Sequence, residues 1–163
     1  MKKSIKYTAL LALIAVMVLM ICACGAKSVT KPVATQGAKT YEITGSATLE
    51  KLNDTTLRLH CTTNIAEGAI IAFSIDAYDG EQLAKQVVTM IDGENICADF
   101  EIDKSWKEPI YGTVSITPSE DGKQPSEIQD MYGSKLENVT GDLVLYNANG
   151  NFICIKSEQL KEY

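Results

Sequence analysis

The chain of 163 residues contains a single histidine, His60. One imidazole excludes histidine-rich metal sites and makes a Ser-His-Asp or Cys-His nucleophilic site hard to assemble. No Cys-x-x-Cys pair, phosphate-binding glycine loop, nucleophile elbow or dinucleotide fingerprint occurs. No basic stripe is available to replace counterions on phosphates, which argues against nucleic acid as a partner. Long helical periods and internal repeats are missing as well. No catalytic set, metal site or cofactor motif emerges, and the chain reads as a non-enzyme.

Acid is absent from the first 40 residues, and charge of either sign is absent from Tyr7 to Ala26. Lys2, Lys3 and Lys6 precede that apolar run, the order of a secretory signal. A run of this length also suffices to span a bilayer as an uncut helix. Its end favours cleavage. Ile21-Cys22-Ala23-Cys24 resembles the lipobox of bacterial lipoproteins, with an aliphatic residue, a tolerant position, a small residue and then the modified cysteine. Ala23 suits the position before a scissile bond, whereas Ile21 before Cys22 is too bulky. The resemblance implies a signal peptide over 1–23 and a diacylglyceryl anchor on Cys24. Two acyl chains hold a protein stably at a bilayer where one does not. The expected location is the outer face of the cytoplasmic membrane.

Residues 25–40 are small and polar, without a periodic apolar pattern. The segment reads as a flexible tether with a root-mean-square span of about 20–25 Å. Residues 41–163 then form one domain, enough chain for a single core. That domain holds all 21 acids against nine bases, while the tether carries Lys27, Lys31 and Lys39. The basic tether favours an anionic lipid surface, and the acidic domain is repelled from it.

Strand signals dominate the domain. In Thr55–Cys61, alternation puts Leu57, Leu59 and Cys61 on one face and Thr56, Arg58 and His60 on the other, so His60 reads as solvent-facing. Ile96, Ala98, Phe100 and Ile102 alternate in the same way with Cys97, Asp99 and Glu101. Further strands are expected over 41–50, 69–78, 82–91, 110–117, 139–147 and 151–156. Asn53-Asp54, Asp79-Gly80, Asp92-Gly93 and Ala148-Asn149-Gly150 read as the turns between them. The two Asp-Gly turns suggest a run of neighbouring antiparallel strands. Pro125–Tyr132 followed by Gly133 reads as a short helix with a glycine stop. The expected fold is all-β, an immunoglobulin-like antiparallel sandwich of seven to nine strands with a short helix near 125–132.

Two stretches carry a family resemblance. Thr62-Thr-Asn-Ile-Ala-Glu-Gly-Ala-Ile70 is similar to a T-N-L-P-D-G-T segment of small extracellular β-sandwich domains in Gram-positive lipoproteins. Gln124 to Gly141, containing Tyr132-Gly133 and Leu136-Glu137-Asn138, resembles the Y-G-x-x-G-E-N-L-x-G segment that follows in some of them. Ala66 and Glu67 replace Pro and Asp, and Leu136 replaces Gly. These turn motifs imply a fold and an origin and carry no catalytic residues.

Three cysteines remain in the domain, Cys61, Cys97 and Cys154. Cys61 faces in and Cys97 out, which argues against that pair. The residues read as three buried or indifferent thiols, and a bridge, if one forms, joins Cys61 to Cys154. The acids Asp76, Asp79 and Glu81, Asp92 and Glu94, and Glu120 and Asp121 are expected at solvated turns without calcium-loop spacing. Trp106 reads as a plug at one end of the core, or alternatively as an exposed ring for a sugar or partner. Tyr111 is expected to hydrogen-bond back across a corner. The functional expectation is a membrane-anchored, non-catalytic binding or adapter module acting with a surface protein. The alternatives are a ligand-binding lipoprotein for a cation or wall saccharide, using the turn acids or Trp106, and a hydrolase using paired carboxylates.

Overall fold

The period-two pattern of residues 55–61 becomes the central strand of the smaller layer. Leu57, Leu59 and Cys61 are fully buried, and the residues between them face outward. The computed structural model describes residues 30–79, 81–93, 95–103, 105–106, 109–118 and 123–160. Cys22, Cys24 and the expected signal segment 1–23 lie outside the described residues, as do Glu94, Glu120 and Asp121 and the side chains of Asp79 and Glu81.

Among the described residues, ten strands and one helix form in the order β1 Tyr41–Glu42, β2 Gly45–Asn53, β3 Thr56–Thr63, β4 Ile70–Asp79, β5 Glu81–Met90, β6 Asn95–Glu101, β7 Ile110–Ile116, α1 Ser126–Tyr132, β8 Val139–Thr140, β9 Val144–Asn147 and β10 Gly150–Lys156. The fold is an all-β sandwich. A three-stranded sheet, β2-β3-β6, lies on a five-stranded sheet, β5-β4-β7-β10-β9, and all pairings in both are antiparallel. The core lies between them. Leu59 and Phe100 of the smaller sheet meet a larger-sheet face built on Ile71, Phe73, Ile75, Val114, Ile116, Ile153 and Ile155. Each such side chain contributes about 1.5–3 kcal/mol when removed from water. Gly112 permits close approach of the layers, since a Cβ there would stand 2.6 Å from Leu59 Cδ1.

The structure departs from expectation at several turns. Asp92-Gly93 does not join neighbouring strands. Ile91 prolongs the β4–β5 ladder by exchanging backbone bonds with Gly68 and Ala69, and the chain then crosses to β6 in the opposite sheet. The strand expected over 41–50 is two. Ile43 donates to Thr140 O, but Thr44 N donates to Asn64 Oδ1 at 2.8 Å, so the chain changes partner between them. The strand expected over 139–147 also divides, at Gly141 (φ +115°), where a Cβ would stand 2.8 Å from Ile43 O. Short β1 and β8 pair in parallel as a separate ribbon.

The helix forms where expected. Ile128 N and Gln129 N both donate to Pro125 O, and Gly133 N donates to Gln129 O, which ends the helix. Ile128 and Tyr132 are buried and close one end of the sandwich. The tether boundary moves. Thr35 N donates to Asn138 Oδ1 at 3.1 Å, and the Lys39 ammonium lies 4.8 Å from the Tyr41 ring centre, so part of the expected tether follows the domain surface.

All three domain thiols are free. Cys154 alternates with buried Ile153 and Ile155 and so faces away from the core that holds Cys61, which rules out a bridge between them without repacking. Burial raises the Cys61 thiol to about 11. Trp106 is 4% exposed and joins the core, so it offers no ring to a sugar or partner. Tyr111 is exposed on the outer face of β7, in register with Asp76, and is not the buried tyrosine of a corner. Tyr132 takes a comparable role: its hydroxyl accepts from Ala66 N at 2.9 Å, and its ring meets Tyr41 edge-on at 5.2 Å.

Leu136 has φ +52° and is the one non-glycine residue with positive φ among those described. It stands where the similar segments have glycine, and its side chain is buried. A side chain in the left-handed region costs about 1–2 kcal/mol, which the burial of leucine offsets. Leu136→Ala should lose about 2–4 kcal/mol in urea unfolding, through lost burial and a cavity. Leu136→Gly should be about 1 kcal/mol more stable than Leu136→Ala, reversing the usual order of the two residues. Equal stabilities, or alanine the better, would contradict the strain.

Candidate binding cleft beside the tether

The turn that follows α1 and the β9–β10 hairpin together wall an open cleft of about 450 Å³. Pro118, Lys123, Gln129, Ser134, Lys135, Ala148 and Asn149 line it. A second cleft of about 270 Å³ adjoins it and shares Lys135 and Ala148. Thr30, Pro32 and Val33 of the tether form part of its wall, together with Glu137.

Each lysine is exposed, but the residue that follows it is fixed. After Lys123 comes Gln124, 2% exposed. Its side-chain amide donates to Ile70 O and Thr117 O at 2.9 Å and accepts from Ile70 N at 2.8 Å. After Lys135 comes buried Leu136, whose carbonyl accepts from Asn151 Nδ2 at 2.8 Å. Asn151 N donates to Lys135 O at 2.9 Å, which ties the turn to the start of β10. Glu137 accepts from Lys135 N at 2.8 Å, so that carboxylate is engaged with the turn's backbone. Neither Lys123 nor Lys135 forms an ion pair among the described residues, and none of the described residues lining the larger cleft is a carboxylate. The site can therefore attract an anion, and it offers a hydroxyl and amides around two fixed positions of positive charge.

The residues singled out from sequence lie elsewhere. His60 Nε2 is 2.8 Å from Glu50 Oε1 on the outer face of the three-stranded sheet. Beside it, Arg58 makes two hydrogen bonds to the Asp99 carboxylate, at 2.5 and 2.7 Å. Those bonds hold the Asp99 carboxyl below the usual range. Cys97 stands opposite His60 in register, but the imidazole is turned to Glu50 and makes no hydrogen bond to the thiol. No group of three or more His, Cys, Asp or Glu side chains suited to a metal occurs among the described residues.

Asp76 was expected at a turn and instead lies within β4, on the outer face of the larger sheet. It borders two shallow clefts, of about 200 and 390 Å³, and no other carboxylate lines either among the described residues. The paired carboxylates of a hydrolase are thus not brought together at Asp76. Lys123 and Lys135 were not singled out from the sequence. They are twelve residues apart with the helix between them, and no local spacing announces that they meet. No family model, curated protein or solved structure matches the chain.

Burial raises the Asp76 carboxyl above its ordinary value. For a raised carboxyl, the stabilising contribution is complete below the ordinary value near 3.9 and is lost as pH rises through the raised one. Asp76→Asn should therefore gain in Tm over the native chain as pH rises from 3 to 7, reaching about 2 °C. A gain that is constant with pH, or a loss at pH 7, would show that Asp76 is stabilising when ionised.

Proposed function

We propose that the chain is a Gram-positive lipoprotein, anchored through Cys24, whose single domain binds a partner at the outer face of the membrane and performs no chemistry on it. The observation that carries the reading is Ile21-Cys22-Ala23-Cys24 at the end of an uncharged run behind three lysines. The β-sandwich supports it as a common architecture of extracellular modules. Strands β2 to β7 with β10 divide as three and four across the layers, which supports an immunoglobulin-like reading. The fourth of these, β5, lies beside β4 instead of β6, a switch of sheet relative to an antibody constant domain. The Gram-positive origin rests on the two turn segments.

The alternative of a small-ligand binder is favoured by the cleft at Lys123 and Lys135, and it no longer draws on Trp106.

Two measurements test the proposal. Cys24→Ala should release the chain into the medium or leave its signal uncut, whereas Cys22→Ala should do neither; the reverse pattern assigns the anchor to Cys22. In-cell crosslinking of a tagged copy, against a tagged lipoprotein of equal abundance, should enrich one surface protein. Enrichment of none would favour the small-ligand reading, and turnover of a substrate by the purified chain would overturn a binding role altogether.

A further inference from the structure

Asp76 is a costly residue on the outer face of the larger sheet. Its neighbours on β4, Ile75 and Ala77, are buried in the core, so Asp76 points away from it. The side chain is partly buried, and among the described residues no hydrogen bond or ion pair reaches its carboxylate. A charge withdrawn from water and left unpaired costs stability. Packing of the two sheets does not draw on it. An unpaired, desolvated group at the wall of a cleft is a candidate ligand contact.

The two clefts that Asp76 borders also share Thr113, and together they form one groove along the outer face. Ser74 and Asp76 on β4 stand in register with Thr113 and Tyr111 on β7. Their side chains are spaced about 5 Å across the strands and about 7 Å along them, a frame comparable to one pyranose ring. Gln86 of β5 stands opposite Ser74, with Nε2 3.4 Å from Ser74 Oγ. Tyr111 is 38% exposed at the end of this frame.

The lining selects among ligands. Its charged residues are Asp76, Lys85 and Lys156. Lys85 donates to Glu101 O on the opposite sheet. An anion would meet the Asp76 carboxylate, and a cation would meet the Lys156 ammonium. An apolar ligand would cover Asp76, Ser74 and Thr113 without supplying them partners. A neutral polyol supplies hydroxyl donors to the carboxylate and an apolar ring face to the tyrosine.

We propose that this groove binds a neutral saccharide, with the Asp76 carboxylate accepting from two adjacent hydroxyls and the Tyr111 ring lying against a pyranose face. Ser74, Thr113 and Gln86 exchange the remaining hydrogen bonds. Neither the anchor at Cys24 nor a protein partner enters into this binding.

The test titrates the isotope-labelled full chain, in phosphocholine micelles free of sugar headgroups, with millimolar cellotetraose and separately with N-acetylchitotetraose. Backbone amides of 74–76, 111–113 and 156–157 should shift together and saturably, and those of β2 and β3 should not. Binding by the glucose tetramer alone assigns a plain glucan, and binding by the acetamido tetramer alone assigns an amino-sugar chain. Tyr111→Ala should weaken binding about ten-fold, and Tyr111→Phe, which keeps the ring, by less than about two-fold. Asp76→Asn should weaken it about ten-fold while raising Tm at pH 7. Binding and stability then move in opposite directions, which a purely structural carboxylate does not produce. Cys97→Ser, on the other sheet, should bind as the native chain does. No shift with either tetrasaccharide, shifts confined to the cleft of Lys123 and Lys135, or undiminished binding by Tyr111→Ala and Asp76→Asn overturns the proposal. Shifts at 74–76 and 111–113 brought about by ethylammonium chloride and by neither saccharide assign the carboxylate to a cation, and overturn it as well.

Discussion

A single buried amide, the side chain of Gln124, fastens the chain that leads into α1 onto the paired ends of β4 and β7. Its NH2 group serves the carbonyls of Ile70 and Thr117, and its oxygen takes the Ile70 amide. It acts as a short stretch of strand laid across the start of β4 and the end of β7. Its own backbone carbonyl then accepts from Gln129 on α1. Loss of this amide would leave buried backbone groups of two strands without partners, a penalty of about 1–3 kcal/mol for each. The position of α1 depends on this clip.

The two segments that resemble Gram-positive lipoprotein motifs are distant in sequence and adjacent in space. Gln124 touches Ile70, and the Tyr132 hydroxyl accepts from Ala66. Between them lies the N-terminal ribbon. Asn64 holds Glu42 and Thr44 from one side, and Asn138 holds Thr35 and Tyr41 from the other. The residues of both motifs thus fasten the incoming chain to the sandwich. That role accounts for them without any chemistry. It also explains the cost of Leu136: the left-handed turn is required to bring Asn138 back to the ribbon, whichever residue occupies it.

Much of the architecture was legible in the sequence. Strands with one buried face alternate strictly, so the inward sides of β3 and β6 could be read residue by residue. The helix announced itself by Pro125 and Gly133. What could not be read were changes of partner. Thr44 leaves β1 because a side chain twenty residues away takes its amide, and Asp92-Gly93 crosses between sheets although its local chemistry suits a hairpin. Both are tertiary choices laid over acceptable local signals. The cleft was illegible for the same reason. Its lysines are ordinary surface residues in sequence, and only the Gln124 clip and the tie from Asn151 to Leu136 bring them to one wall. The two aromatics that follow β6 differ: Trp106 plugs the core as its first reading has it, whereas the outward facing of Tyr111 depends on a loop path that no periodicity encodes.

The clasp at Asn138 also has a mechanical meaning. A chain held at one end and dragged by its surroundings feels tension along the segment that leads to the holding point. Among the described residues, that segment is hydrogen-bonded to the domain at Thr35, then at Tyr41 and Ile43, and only afterwards at β2. The first hydrogen bonds loaded lie outside both core sheets, and the parallel ribbon resists as a set of bonds sheared together instead of one after another. Tension that opened the clasp would free residues 35–43 and draw buried Ile43 from the edge of the core, while the β2–β3 ladder stayed closed. Under a pull on the N-terminal segment, the ribbon would yield before either sheet.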